Sequence, residues 1–427
     1  MPAYPKTRRR EILRLLARLV TARLRKRDKG EAIATWLGEL TRRYDSPNLV
    51  IDLIFRRMLF VSGPDLSAHI LSAPPSSDSF VAGTMKKKAM SFLAPHALTI
   101  AEDAEWRALR PYNERILHTG KPHPHLPAVL AAVRRSFGGR PVRNIVEIRR
   151  RMGEAMLAVV FGEGNAPAHL IDDIQELFAE VGPKTALIGS RKRALRNRFQ
   201  EELRRLWRSG AGRGQPSLLS LAHEAEAAVG SPHGSEEALV DQIPHWMFTF
   251  TNSGSDLLAR SLAMILARPD SLARARREIA AAGALDDPAK IGALSYLEAC
   301  IVETGRLFPP VAITSHRAAR RDSFGGAEIP AGTETLQFFP FNNRDVSRDP
   351  HASYFRPERW LDPDDAVHGL YPNLFLSGAR ACPGRTLVMF VEKAALALLI
   401  RDGGVQARNA LSRDPLPFSF PAECLEF

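Results

Sequence analysis

Cysteine is scarce in this chain of 427 residues: Cys300, Cys382 and Cys424 are three in number and lie far apart. An odd, scattered set excludes a disulfide framework and fits a reducing compartment, so a cytoplasmic location is expected. Long apolar runs are missing as well. The first thirty residues interrupt their leucines with arginines, and never reach the roughly 20 apolar residues of a membrane span or the uncharged core of a secretory signal. No zinc finger, RNA-binding signature or other nucleic-acid module occurs, so the formal charge of +12 reads as a basic solvated surface and no nucleic-acid partner is expected. A Gly-rich dinucleotide fingerprint and a cysteine cluster for an iron–sulfur centre are also lacking.

What is present is the balance of a globular protein, with 45% hydrophobic and 25% charged residues. Helical spacing dominates. Residues 11–27 alternate leucines with Arg14, Arg18, Arg23 and Arg25, a basic amphipathic helix that either lies on an anionic membrane surface as a peripheral contact or packs its leucine stripe on the domain. Short apolar runs across 48–63 predict a small sheet. Helices are predicted over 104–118, 127–137, 146–161, 168–181, 195–207, 236–266 and 272–282, then extended runs and Pro and Gly punctuation after Phe308, then one last apolar helix over 386–399. The layout is mainly α with small sheets at two places, an α+β body.

The segment before that last helix carries the chemistry. Phe375, Gly378, Arg380, Cys382 and Gly384 fall within ten residues. A thiolate just ahead of a helix N-terminus is stabilised by the helix dipole and by unpaired backbone amides, and a thiolate is a metal ligand. Gly378 and Gly384 let the backbone turn tightly around the sulfur and aim N–H groups at it. Arg380 offers a fixed cation for a carboxylate, and Phe375 screens the sulfur from water. A lone cysteine is more often an inert core thiol; the pattern around Cys382 sets it apart.

This segment resembles the heme-binding loop of the cytochrome P450 family, Phe-x-x-Gly-x-Arg/His-x-Cys-x-Gly, at every specified position. Glu303 and Arg306 resemble the family's Glu-x-x-Arg helix, and Pro357-Glu358-Arg359 its Pro-Glu-Arg stretch, in the expected order. The resemblance implies the P450 fold, with heme b (iron protoporphyrin IX) between a central helix and the cysteine loop, and Cys382 as the axial ligand of the iron. It implies a salt-bridged structural cluster of Glu303, Arg306 and Arg359, and propionate contacts from Trp106, Arg110, Arg317 and Arg380. By family position, Phe248, Thr249, Val311, Ala312, Ile313 and Phe418 would line an apolar substrate pocket. Residues 1–30 fall outside the resemblance as a basic N-terminal segment, and 31–427 are expected to form a single catalytic domain.

One stretch departs from the family. Its central helix carries Ala/Gly-Gly-x-Asp/Glu-Thr, whose acid and alcohol deliver protons to bound oxygen. Counting back from Pro269 puts Phe250, Asn252 and Ser253 at the Gly, acid and alcohol positions, and Asn252 cannot exchange a proton as a carboxylate does. A shifted register gives Gly254, Ser255 and Asp256 but leaves Leu257 where the alcohol belongs. The run Thr249, Thr251, Asn252, Ser253 breaks an apolar helix, either bonding back to carbonyls or distorting the helix into a groove. Thr251, Asn252 and Ser253 are the candidate catalytic residues, acting on ordered water.

Resemblance therefore implies a monooxygenase that inserts oxygen from O2 into a mainly apolar organic molecule, with electrons from a ferredoxin or flavodoxin and its reductase. The missing acid motivates an alternative, a heme-thiolate enzyme that uses peroxide, couples or rearranges. A heme-bound sensor or carrier is the alternative outside enzymes.

Overall fold

The computed structural model describes residues 4–24, 29–53, 56–178, 189–229, 234–365, 368, 374–402, 405–408, 411–412 and 414–427. The chain divides into two compact units. The first comprises Met1–Lys86, Val302–Cys382 and Arg413–Pro421, and the second Lys87–Ile301, Pro383–Ser412 and Ala422–Phe427.

The first unit holds the strands: β1 (Asn48–Leu53), β2 (Arg56–Val61), β3 (Phe80–Ala82), β4 (Ile313–Ala318), β5 (Asp322–Phe324), β6 (Ala327–Ile329) and β7 (Glu334–Phe338). Small sheets were expected at two separate places. Instead the early and late strands join in one five-stranded sheet of order β1-β2-β7-β4-β3, where β2 and β7 run parallel and the other pairs antiparallel. Spacing along a sequence cannot show that pairing, because parallel strands need a long connection. Only the β5–β6 hairpin stands apart, and its tight turn is Gly325-Gly326, both at positive φ as a two-residue hairpin turn requires. Alternation along β1 and β2 splits the core. Leu49, Ile51 and Phe60 face Trp36, Leu37, Leu40 and Phe338, whereas Leu59 and Val61 face Leu66, Ile70, Phe80 and Ala318.

The second unit is helical. Asn144 caps the Ile145–Phe161 helix by accepting from the Glu147 N–H at 3.1 Å, and Gly162 at φ 79° stops it. Pro269 opens Pro269–Ala282 at a position where its missing N–H costs nothing. The last helix, Arg385–Arg401, is buried along its length from Leu387 to Ile400, against Leu126–Phe137 and Ser255–Leu266. Apart from Glu392 and Lys393 its buried residues are apolar all round, and such a helix has to lie in a core.

Most helical expectations match within a turn. Residues 179–181 of the expected 168–181 helix and 25–27 of the expected 11–27 helix lie outside the described residues. The expected 236–266 helix is broken at Asp241 and contains a π-helical turn at Thr249–Gly254. Helices at Lys29–Tyr44, Pro64–Ser72, Thr84–Leu93 and Leu218–Val229 were not anticipated; such elements are set by what they pack against more than by local preference. Among the described residues, no helix is long and apolar enough to cross a membrane.

Candidate heme-thiolate site

The cysteine loop closes on itself. The Cys382 N–H donates to the Phe375 carbonyl at 2.8 Å, and Ala381 N–H donates to Gly378 at 3.1 Å around a single 3-10 turn. Two residues take left-handed backbone, Leu376 at φ 59° and Gly378 at φ 60°. Gly378 is required for a second reason, since a Cβ there would stand 2.6 Å from Ser72 Cα and 2.7 Å from the Leu71 carbonyl oxygen. The loop is thereby seated on the Pro64–Ser72 helix, with Cys382 and Phe375 both half-buried.

Arg380 leaves this loop to donate to the carbonyls of Ile70 and Phe80. Two further basic side chains, Lys86 and His316, lie near it. Burial and Arg380 lower Lys86 from 10.5 to about 8, and burial, Arg380 and Lys86 together push His316 well below its ordinary value. His316 Nδ1 is buried without a hydrogen-bond partner, and no carboxylate offsets Lys86 or His316 among the described residues. Lys86 beside Arg380 puts two like charges together, which favours an anion, and the lowered pKa leaves His316 a neutral imidazole next to them. Lys86 and His316 were missed in the sequence because 230 residues separate them and neither belongs to a motif. Arg317, the residue expected to hold a propionate, lies half-buried on the strand face opposite Thr314, His316 and Ala318.

The Glu303 cluster lies in the same unit. Arg306 makes a two-pronged contact with Glu303, Nε to Oε2 and Nη2 to Oε1, each at 2.8 Å. Glu303 also accepts from the Arg356 N–H at 3.0 Å and the Trp360 indole at 2.8 Å. Arg359 is farther from Glu303, at 3.7 Å, and bonds Asp349 at 2.8 Å, a partner that the motif spacing did not reveal. Arg306 donates onward to the carbonyls of Asn343, Ala352 and Tyr354, so one helix residue ties down the 343–354 segment.

In the second unit the π-helical turn sorts the candidate hydroxyls. Thr249 and Thr251 donate to the carbonyls four residues back, His245 at 2.9 Å and Met247 at 3.2 Å, and Ser255 donates to Phe250 at 3.1 Å. Asp256, the acid of the shifted register, is held by Arg149 at 2.8 Å and faces Arg260 at 3.7 Å. The half-buried Asn252 and Ser253 keep side chains without a hydrogen-bond partner among the described residues. Glu392 of the last helix was not anticipated. It is fully buried, neither carboxyl oxygen has a partner, and Oε1 would stand 3.1 Å from a Cβ at Gly254, against the π-helical turn. Burial pushes its carboxyl well above the usual range.

Of the remaining expected contacts, Arg110 is engaged by Glu114 at 2.7 Å, and Trp106 is half-buried one turn earlier. Phe248 stacks on Phe178 with centroids 3.5 Å apart. Ala312 and Phe418 pack on the Trp36–Phe338 core cluster, and the Arg344 guanidinium lies over the Phe418 ring, whereas Val311 and Ile313 are exposed.

Residues 191–408, about half of the chain, match the family model described as Cytochrome P450. The chain belongs to the cytochrome P450 family. It is similar to "Cytochrome P450 76M5" of Oryza sativa subsp. japonica, 29% identical over 375 residues that cover 75% of this chain and 70% of the relative. "Berbamunine synthase" of Berberis stolonifera is 31% identical over 176 residues, 39% of this chain and 35% of the relative. "Beta-amyrin 24-hydroxylase" of Glycine max is 35% identical over 166 residues, 35% of this chain and 32% of the relative. The chain thus spans about a third of the length of those last two. The cofactor of P450s is heme b, and the residues here fit an anionic porphyrin: a half-buried thiol on a closed loop, a backbone cradle that excludes a Cβ, and two neighbouring cations, Arg380 and Lys86, suited to carboxylates.

Proposed function

We propose that this P450 is a monooxygenase that inserts one oxygen atom from O2 into a mainly apolar organic molecule in the cytoplasm, drawing electrons from a ferredoxin or flavodoxin and its reductase. The observation that carries the reading is Cys382, at the closed end of a loop with the complete family pattern and three residues ahead of the last helix. Relatives whose names include monooxygenase and hydroxylase support oxygen insertion.

Heme b, when bound, supplies the oxygen-activating iron, and a thiolate ligand pushes electron density that favours O–O cleavage. The chain does the rest. Cys382 Sγ is the proposed ligand, three residues ahead of the last helix, whose N-terminal end favours an anionic sulfur. Arg380 and Lys86 would hold carboxylates, neutral His316 would offer them a hydrogen bond, and Arg317, Arg110 and Trp106 are the contacts carried over from the family. Phe375 shields the sulfur. Asn252 and Ser253, whose side chains have no hydrogen-bond partner among the described residues, position water, while Thr251 stays occupied with its own helix. Phe248, Thr249, Val311, Ala312, Ile313 and Phe418 are the substrate contacts proposed from family position.

Replacing Cys382→Ala tests the ligand. The reduced carbon monoxide complex is expected to lose its thiolate-type absorbance; an unchanged spectrum refutes the assignment. The engaged Asp256 and the absent relay acid favour a second reading, in which peroxide takes the place of O2 and electrons. Product formed with peroxide alone, and none with O2 plus redox proteins, selects it.

A further inference from the structure

The first helix, Arg9–Leu24, has two apolar faces, and the domain covers one of them. On the covered side Ile12 is buried and Leu15 packs with Trp36, Leu37 and Leu40. Glu11, the single acid of the helix, is buried there too, bound by Arg43 at 2.6 Å and the Tyr44 hydroxyl at 2.8 Å, while its carbonyl accepts from the Trp36 indole at 2.9 Å. These contacts fix the roll of the helix on Lys29–Tyr44. With the roll fixed, Leu13, Leu16 and Val20 point outward and are 60%, 45% and 57% exposed, with exposed Ala17 among them. Spacing of three, one and three residues puts all four on one stripe.

The surroundings of the stripe say what covers it. Arg9, Arg10 and Arg14 are exposed and have no ion pair among the described residues. Along the sequence, residues 1–30 carry eleven Lys and Arg against two acids. A second copy of the chain laid on this face would bring one arginine row against another, which like-charge repulsion disfavours. An anionic lipid surface satisfies both features at once, taking the leucines into the acyl boundary and the arginines at the headgroups.

We propose that the Leu13–Leu16–Val20 face of the first helix docks this protein in the plane of an anionic membrane, while the opposite face stays packed on the domain. The helix lies on the bilayer and does not cross it. This surface is independent of the heme chemistry above, so either proposal can fail without the other.

The test is co-sedimentation of the heme-loaded protein with vesicles of equimolar phosphatidylcholine and phosphatidylglycerol, and with phosphatidylcholine alone. Binding is expected to the first, weak or none to the second, with loss in high salt as charges are screened. The double variant Leu13→Glu/Leu16→Glu is expected to lower vesicle binding by at least about 10-fold. Both positions are exposed, so its melting temperature and carbon monoxide spectrum stay those of the parent. No sedimentation with the phosphatidylglycerol vesicles overturns the proposal, as does binding that the variant leaves unchanged. Light scattering that finds a dimer split by the variant overturns it in favour of self-association.

Discussion

Glu303 and Glu392 are both buried to 0% exposure, one in the unit of the cysteine loop and the other against the π-helical turn, and their surroundings are opposite. Glu303 accepts from a two-pronged arginine, an indole and a backbone amide. Glu392 has none of these, and burial alone drives its carboxyl toward the neutral form. A buried charge is tolerated when its lone pairs are filled, and otherwise the group keeps its proton. The contrast extends to the neighbourhoods. Around Glu303 every motif residue meets a partner, including Asp349, which sequence spacing did not point to. Around the π-helical turn the family pattern is broken, Asp256 is taken by Arg149, and Asn252 and Ser253 remain open. The first region is built to hold a loop in place, and the second leaves polar groups for something else to use.

The largest way to break this contrast is Glu303→Ala. Arg306 would be left buried and without its carboxylate, at a cost of about 3–5 kcal/mol, and the variant is expected to unfold at lower denaturant and to lose heme on purification. A loss under 1 kcal/mol in denaturant titration would mean the cluster is not what braces the unit. Next comes Gly378→Ala, which meets both a left-handed backbone and the Leu71–Ser72 main chain. We expect a loss of roughly 1–3 kcal/mol and a shifted heme absorbance, read by thermal melting and by the ferric spectrum.

The opposite sign is expected at Glu392. In the unfolded chain this carboxyl ionises near 4.5, whereas the folded protein retains the proton well above that value, so the native state binds more protons and its stability falls as pH rises past 4.5. Glu392→Gln, neutral at every pH and of the same size, removes that fall. The variant is expected to be more stable than the parent at neutral pH, by roughly 1–3 kcal/mol, and to show no gain in acid. A loss of stability at neutral pH would mean that the carboxylate has partners after all.

Smallest is the effect at the turn itself. Asn252→Ala and Ser253→Ala are each expected to slow product formation by about 10-fold, short of the roughly 10²–10⁴ that removing a true general acid costs. More of the consumed O2 should then appear as hydrogen peroxide. Thr251→Val is expected to leave both quantities within about 2-fold, because its hydroxyl serves the Met247 carbonyl. If Thr251→Val is instead the damaging change, the sorting of hydroxyls is reversed.

How much of this was legible depends on distance along the chain. The cysteine loop and the Glu303–Arg306 pair are short patterns, and within a few residues backbone geometry leaves little choice about which groups meet. The apolar periodicities placed most helices of the second unit. The Lys86, His316 and Arg380 cluster was not readable, since its members come from a helix, a strand and a loop far apart in sequence. The polar run from Thr249 to Ser253 marked where the central helix distorts, but the π form of that turn was not legible, because one extra residue in a turn alters spacing less than the natural scatter of side chains does.

By itself the sequence determined the family's cysteine-loop pattern around the proposed ligand, the helical character, and the absence of a relay acid at the expected position, all properties of residue type and short spacing. Tertiary structure decided the rest. Pairing β2 with β7 merged two apparent sheets, burial left one glutamate bonded and another alone, and Glu11 with Trp36 fixed which leucines of the first helix face outward. Each of these follows from desolvation and contact between distant segments, which no local pattern encodes.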